Sequence, residues 1–239
     1  MTSLQLDPSL LLLDGRPVAV RVRRSSRAKR MILRIVHDEE ALLLTLPTGV
    51  TREAGLDFVR RQQTWIQQRL SKLPDRVPFA EGAKLPLLGE EHEIRHAPEE
   101  RRGVWREAGC LWVSGKAEHL PRRVSDYLRE EARKLLRTRA REKWASLPAG
   151  TARPLRRVAV RDTSSRWGSC SSQGNLNFSW RLIFAPEPVF DYVVAHEVAH
   201  LVHMNHSPAF WQLNDSLTPD MHYARQWLRS QGARLLRYG

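Results

Sequence analysis

The sequence predicts an α+β fold, with a small mixed β domain that carries one helix, followed by a domain that contains a metal-binding helix. Short branched-aliphatic runs between polar turns fill the first half of the chain, whereas long amphipathic segments fill the second. One later segment contains the spacing His-Glu-x-x-His, at His196, Glu197 and His200. The 39 Lys and Arg residues outnumber the 26 Asp and Glu residues, which indicates a basic globular protein.

The first 120 residues are predicted to form the β domain. Its predicted strands cover residues 18–22, 31–36, 42–46, 85–88, 92–96, 104–106 and 111–113. Between the third and fourth of these, residues 51–73 carry apolar side chains at helical spacing, and Pro74 closes that helix. Pro121 marks the predicted boundary, so the two domains are residues 1–120 and 121–239.

The second domain is predicted to be zincin-like from the order of its elements. A long amphipathic helix ends near residue 147, strands follow at residues 158–161 and 175–180, and residues 164–174 join them. The metal helix comes next, after Pro186, and two further helices follow it. In this arrangement a strand beside the metal pairs with an extended substrate, which predicts that residues 175–180 line the cleft. An ordinary edge strand fits the same alternation.

The His-Glu-x-x-His spacing is the strongest functional signal. Residues four apart lie on one face of a helix, so the rings of His196 and His200 can bind one metal ion. Glu197 cannot easily reach the same coordination position, but it can accept a proton from a water there. The alternative is a chance pair of core histidines, although a buried glutamate without a partner is costly.

A catalytic zinc usually has three protein ligands, and His206 is the predicted third. Asn205 is a natural helix stop and Ser207 a natural cap, so His206 is expected in a corner that faces back toward the metal. His203 is the alternative ligand, although it lies further along the helix axis.

Charge and cysteine content bear on partners and location. Residues 15–36 contain eight basic residues and no acidic one, and such a run can contact phosphates of nucleic acid or a nucleotide. A solvated strand face and turn is the favoured interpretation of the same charges. Cys110 and Cys170 form no Cys-x-x-Cys pair, and the early apolar run, residues 10–13, is too short to span a membrane. We therefore expect a cytoplasmic protein with no membrane partner.

Several motifs together resemble a known family. They are Arg166-Trp-Gly-Ser-Cys170, Asn175-Leu-Asn177, Trp180-Arg-Leu182, Asp191-Tyr-Val-Val-Ala-His-Glu-Val-Ala-His200, His203, Asn205-His206 and Phe210-Trp211. This set resembles the YgjP-like metallopeptidase domain, a family related to the WLM and SprT-like zinc proteases. The resemblance implies zinc at His196, His200 and His206, with Glu197 as general base. SprT-like and WLM relatives are associated with cleaving proteins crosslinked to DNA, whereas some YgjP-like members are described as nucleotide pyrophosphatases.

Three functions therefore remain open: a zinc endopeptidase acting on a protein or peptide, a metal-dependent nucleotide hydrolase, and a nucleic-acid-binding protein with a structural metal. The first is favoured because Glu197 has a ready catalytic role. Predicted substrate-binding residues are Asn175, Asn177, Arg166 and Tyr223. Possible donors to the oxyanion are Tyr223, His222, Arg166 and Tyr192. Cys170 is expected to be a packed residue rather than a nucleophile or a thiolate ligand.

Overall fold

The computed structural model describes residues 9–13, 16–36, 41–70, 75–163 and 165–239. The fold is α+β, as predicted, and the chain divides into two compact units, Met1–Pro74 and Asp75–Gly239. The predicted boundary at residue 120 falls inside the second unit. The reason is a shared core, in which Ile94 and Leu111 from the strands before residue 120 pack with Leu128 from the helix after it.

The first unit begins with a sheet of four strands. They are β1 (Ser9–Leu13), β2 (Arg16–Ser25), β3 (Ile32–Val36) and β4 (Ala41–Pro47). The strand order is β1-β2-β4-β3, with β2 and β4 parallel and the outer pairs antiparallel. Alternate side chains of a strand face opposite sides, and the buried set Val20, Leu42, Leu44 and Leu46 defines the core face. The sequence did not predict β1.

The predicted helix over residues 51–73 is two helices, α1 (Arg52–Arg61) and α2 (Gln63–Leu70), and residues 71–73 lie outside the described chain. Thr51 caps α1, because its Oγ1 accepts a hydrogen bond from the Ala54 N–H at 3.2 Å. At Gln62 the backbone N–H donates to both the Phe58 and Val59 carbonyls, a tightened turn that ends α1.

The second unit begins with four strands in the same arrangement. They are β5 (Lys84–Leu87), β6 (Glu90–Ala97), β7 (Val104–Glu107) and β8 (Cys110–Ser114). The order β5-β6-β8-β7, with β6 parallel to β8, repeats that of the first unit.

A 26-residue helix, α3 (Leu120–Ala145), follows this sheet. Pro121 lies in its first turn rather than between domains, a position where the missing N–H of proline costs nothing. Its buried side chains recur every four residues: Leu120, Val124, Leu128, Ala132, Leu136 and Ala140. This stripe places α3 in the core of the second unit.

A second, three-stranded sheet contains β9 (Arg157–Arg161), β10 (Gly168–Cys170) and β11 (Asn175–Ser179). Its order is β10-β11-β9, so β11 is central and β10 is an edge strand. The sequence predicted β9 and β11 but not β10. The predicted linker, residues 164–174, therefore contains a strand, and Ser164 lies outside the described residues.

The remaining helices are α4 (Glu187–Ala199), α5 (Pro208–Leu217) and α6 (Met221–Gln231). Prolines occupy the first turn of α4 and α5, as predicted from residues 186–188 and 207–208. None of the helices in the described part of the chain is long and apolar enough to cross a membrane.

A buried arginine ties the segment between β11 and α4 to the end of the chain. Arg181 is only 3% exposed; its Nε donates to Asp162 Oδ1 at 2.8 Å and its Nη1 to the Tyr238 carbonyl at 2.7 Å. The charged hydrogen bonds compensate for the burial of the guanidinium.

Candidate metal centre

Three histidine rings converge at the end of α4. His196 lies in the last turn of that helix, His200 at its C-cap, and His206 in the turn before α5. One ring nitrogen from each histidine lies within 4.8 Å of those from the other two. The Nε2 atoms of His196 and His206 are 3.1 Å apart. The structure thus brings together the three residues predicted as ligands.

The turn that carries His206 forms differently from the prediction. Helix α4 ends at Ala199, whose carbonyl accepts a hydrogen bond from the His203 N–H. Asn205 therefore lies beyond the end of the helix. Among the described residues, only Leu88 and Ala108 are non-glycines with positive φ, so Asn205 is not a left-handed stop. Ser207 does cap α5, accepting from the Phe210 N–H at 3.3 Å.

His203 supports the centre through its backbone. His200 Nδ1 lies 2.9 Å from the His203 carbonyl oxygen, so Nδ1–H donates and the Nε2 lone pair is left for a metal. The ring of His203 is not part of the convergent group. His203, the alternative ligand considered from the sequence, therefore accepts a hydrogen bond from His200, one of the predicted ligands.

Glu197 follows His196 directly in α4, and its side chain packs against Gly168 of β10. Its side chain is buried, with 6% exposure of the residue. A Cβ atom at Gly168 would lie 2.5 Å from Glu197 Oε1 and 2.6 Å from its Cγ, far inside contact distance. A larger residue at this position would displace the Glu197 side chain. Sequence reasoning singled out the motif around Gly168 but missed this role, although a glycine within a strand signals close approach by another group.

Burial favours the uncharged forms of His196, His200 and Glu197. Burial lowers the pKa of His196 to about 3, with His200, His206 and Arg225 acting in the same direction. Burial also lowers the pKa of His200 below its usual value. Burial raises the pKa of Glu197 to about 8, against the opposing charge of Arg166. Uncharged imidazoles offer free lone pairs, and a divalent cation would bring a positive charge close to the buried carboxyl group.

The spacing of the nitrogens also fits one ion. Two nitrogens bound tetrahedrally at about 2.0–2.1 Å lie about 3.3 Å apart, close to the 3.1 Å between His196 Nε2 and His206 Nε2. The donor set and the distance are both those of a metal site.

The sequence matches the family model described as YgjP-like, metallopeptidase domain, over residues 29–231. The chain belongs to the YgjP-like family. The resemblance seen in the motifs is thereby confirmed, and the chain carries a metal-dependent, peptidase-type hydrolase domain. Neither the curated proteins nor the solved structures contain a match.

The four predicted substrate-binding residues of the YgjP-like chain lie in different surroundings. Arg166 is exposed and close enough for its charge to lower the pKa of Glu197. Asn175 and Asn177 lie on β11, whose two edges are already paired with β10 and β9. Their backbone therefore cannot add a substrate strand, and the edge strand beside Glu197 is β10. Tyr223 lies on α6 with 48% of its surface exposed.

Two other predicted groups also have defined surroundings. Tyr192 is buried on α4, with its ring centroid 5.9 Å from that of His196. Burial, then the charge of Glu197, raises the pKa of the Cys170 thiol to about 11, so the thiol stays protonated at neutral pH. This agrees with Cys170 as a packed residue of the YgjP-like domain.

Proposed function

We propose that this YgjP-like chain is a zinc endopeptidase, with His196, His200 and His206 as zinc ligands and Glu197 as general base. The observation that carries the proposal is the convergence of three imidazole rings beside a buried carboxyl group. Three nitrogen ligands with one position left open are typical of catalytic zinc, whereas structural zinc sites usually have four protein ligands.

The bound ion would supply Lewis-acid polarisation of the scissile carbonyl and of the attacking water. Glu197 would accept a proton from that water as its oxygen attacks the carbonyl carbon. The same carboxyl group would then give the proton to the amide nitrogen as the C–N bond breaks, releasing a neutral amine. A nearby cation favours the ionised carboxylate, which would bring Glu197 from its raised pKa into the base form.

An extended peptide is the substrate that fits the edge of β10. The Ser171 N–H donates to the Asn175 carbonyl and the Ser179 N–H to the Trp167 carbonyl, so odd-numbered residues of this segment bond to β11. In an antiparallel pair the intervening residues point their N–H and C=O groups away. The outward groups of Gly168 and Cys170 support pairing with a substrate strand next to Glu197. Arg166 is proposed to contact the substrate or its developing oxyanion.

The decisive experiment compares Glu197→Gln with the wild type. We expect about one zinc per chain in both proteins, and hydrolysis of an unfolded protein lowered about 10³-fold in the variant, because the proton acceptor is lost. Zinc is measured by elemental analysis and cleavage by peptide mapping. Glu187→Gln is the matched control, since Glu187 lies exposed in the first turn of the same helix, where it pairs with Arg139. Full cleavage by Glu197→Gln, or a wild type without zinc, would reject the proposal.

A second candidate, phosphate binding, rests on the first sheet. Val20 and Val22 of β2 and Leu33 and Ile35 of β3 pack into the core. Alternation therefore puts Arg21, Arg23 and Arg34 on the opposite face. These arginines favour a nucleic acid or nucleotide as a partner, or as substrate of a nucleotide hydrolase. Release of phosphate or pyrophosphate from nucleoside triphosphates, without proteolysis, would move the assignment to this class.

We also propose a cytoplasmic location. Cys110 and Cys170 are both free thiols, which supports a reducing compartment.

A further inference from the structure

His206 differs from the other two histidines in how it is held. His196 and His200 belong to α4 or its cap, whereas His206 lies in the turn before α5 and has an exposed side chain. An exposed turn residue is free to populate several rotamers, which would weaken a metal site that needs one of them. Something else must therefore orient this ring.

Aromatic rings of α5 surround His206. The indole of Trp211 stacks on the imidazole, with ring centroids 5.4 Å apart and planes at 25°. The ring of Phe210 meets the same imidazole edge-on, at 4.8 Å and 79°. Phe210 is fully buried, and Trp211 is half-buried. The stacked ring is therefore the one that can still move toward solvent.

An arginine from α6 lies against that stacked ring. The Arg225 Cζ atom is 4.4 Å from the centroid of the Trp211 ring, within the range of a cation–π contact. A planar guanidinium packs on an indole over a larger area than an ammonium group can. Arg225, Trp211 and His206 thus form a continuous series of contacts from α6 to the metal centre.

We propose that Trp211 and Arg225 are positioning residues that hold the His206 ring in its metal-binding orientation. This inference rests on the metal site of the proposed function. Arg225 limits the movement of the indole, and the indole limits rotation of the imidazole. Groups that orient metal ligands commonly contribute about 10- to 100-fold in metal affinity.

Because Arg225 is charged, the direction of the change in metal affinity tests the proposal. A cation near a metal site repels the metal, so removal of the charge alone strengthens metal binding. Loss of the stack has the opposite effect. A weaker site after loss of Arg225 therefore identifies the positioning role.

The experiment measures Zn²⁺ affinity by competition with a chromophoric chelator, and the visible absorption of the Co²⁺ form as a report on coordination. For Trp211→Leu we expect affinity about 10- to 100-fold weaker and a changed Co²⁺ spectrum, whereas Trp211→Phe, which keeps a stacking ring, should stay within about 3-fold of wild type. Arg225→Met and Arg225→Lys should both weaken binding, by about 3- to 10-fold. Arg229→Met is the control, because Arg229 is an exposed arginine of the same helix.

The outcomes distinguish failure of the positioning role from failure of the metal site. Tighter or unchanged binding in Arg225→Met, or unchanged binding in Trp211→Leu, overturns the positioning role while the metal site stands. Equal weakening by Arg229→Met also overturns it, since the effect would then not depend on contact with Trp211. A wild type that binds neither Zn²⁺ nor Co²⁺ overturns the metal site, and the positioning role with it. Trp211→Phe and the Arg225 variants keep the test decisive if Trp211→Leu does not fold.

Discussion

The two four-stranded sheets share a strand order, one parallel pair and two antiparallel pairs, yet they belong to different cores. In the first unit the sheet is followed by two short helices, α1 and α2, and packs within a small core of its own. In the second unit the sheet is followed by the 26-residue α3 and joins the core that includes the metal helix α4. The two sheets therefore share a strand order but differ in the helices that follow them and in the cores that they join.

The outer faces of the two sheets differ as well. The first carries Arg21, Arg23 and Arg34. The second carries Trp105 and Trp112, stacked at 6.2 Å and 15°, with the Arg102 guanidinium over Trp105. The same backbone arrangement thus presents a charged surface in one unit and an aromatic surface in the other.

The largest expected effect comes from matched core substitutions. Leu42 pairs in register with Val20, and Leu111 pairs with Ile94, so the two leucines hold equivalent places and both are fully buried. Leu42→Ala and Leu111→Ala should each lower the free energy of unfolding by about 2–5 kcal/mol, because each leaves a cavity. Only Leu111→Ala should also weaken Zn²⁺ binding. Calorimetry and metal titration check this, and an equal loss of Zn²⁺ affinity in Leu42→Ala would contradict separate cores.

Two closely packed glycines, Gly55 and Gly168, should differ in the effect of replacement by alanine. A Cβ at Gly55 would lie 2.7 Å from Leu46 Cδ2, and one at Gly168 would lie 2.5 Å from Glu197 Oε1. We expect Gly168→Ala to lower kcat/KM for peptide hydrolysis about 100-fold with Zn²⁺ affinity retained, because it displaces the proposed base. Gly55→Ala should cost only stability, about 1–3 kcal/mol. Peptidase activity of Gly168→Ala within threefold of wild type would contradict the role given to β10.

The buried charged side chains of the described residues include Arg181 and Glu197, both in the second unit. Burial acts to raise the pKa of Asp162, but the hydrogen bonds from Arg181 and the charges of Arg181 and Arg129 outweigh it, so the pKa lies below its usual 3.8. A depressed carboxyl pKa stabilises the fold above the unfolded-state value and loses that contribution as the pH falls through the folded-state value.

Asp162→Asn should therefore destabilise the second unit by about 2 kcal/mol at pH 7, because the buried Arg181 keeps its charge and loses its anionic partner. The difference from wild type should shrink as the pH falls below 3.8. Denaturant titrations at a series of pH values provide the measurement. A difference that stays constant down to the lowest pH at which the protein folds would contradict this ion pair.

The smallest effect on stability is expected on the arginine face of the first sheet. Arg23 and Arg34 are exposed, and Arg23 Nε donates to Thr45 Oγ1 at 3.0 Å, so replacing both with Gln should change stability by no more than about 1 kcal/mol. If the face binds phosphates, the affinity for single-stranded DNA should fall, and the slope of log K against log salt should decrease by about 1.4 in magnitude. Fluorescence anisotropy measures both. The double Gln variant of Arg60 and Arg61, on α1, is the control, and equal losses in the two variants would rule out a specific face.

Much of this architecture follows from local patterns. Short runs of branched and aliphatic residues predicted β2 and β4, alternation of polar and apolar residues predicted β11, and prolines predicted the starts of α4 and α5. The fold class and the family resemblance are confirmed. The three-residue β10 carries no periodicity of its own and was missed. Pro121 was interpreted as a boundary because a first-turn proline and a linker proline look alike in sequence.

The sequence alone predicted that the rings of His196 and His200 converge, because their spacing on one helix face depends only on helix geometry. Their roles in catalysis stay predictions. Tertiary structure decided the surroundings: Gly168 against Glu197, Arg225 over Trp211, and His203 as an acceptor rather than a ligand. It also decided that the four-stranded sheet β5–β8 shares a core with the metal helix. These contacts join residues from different elements, and only the packing of a whole unit fixes which of them meet.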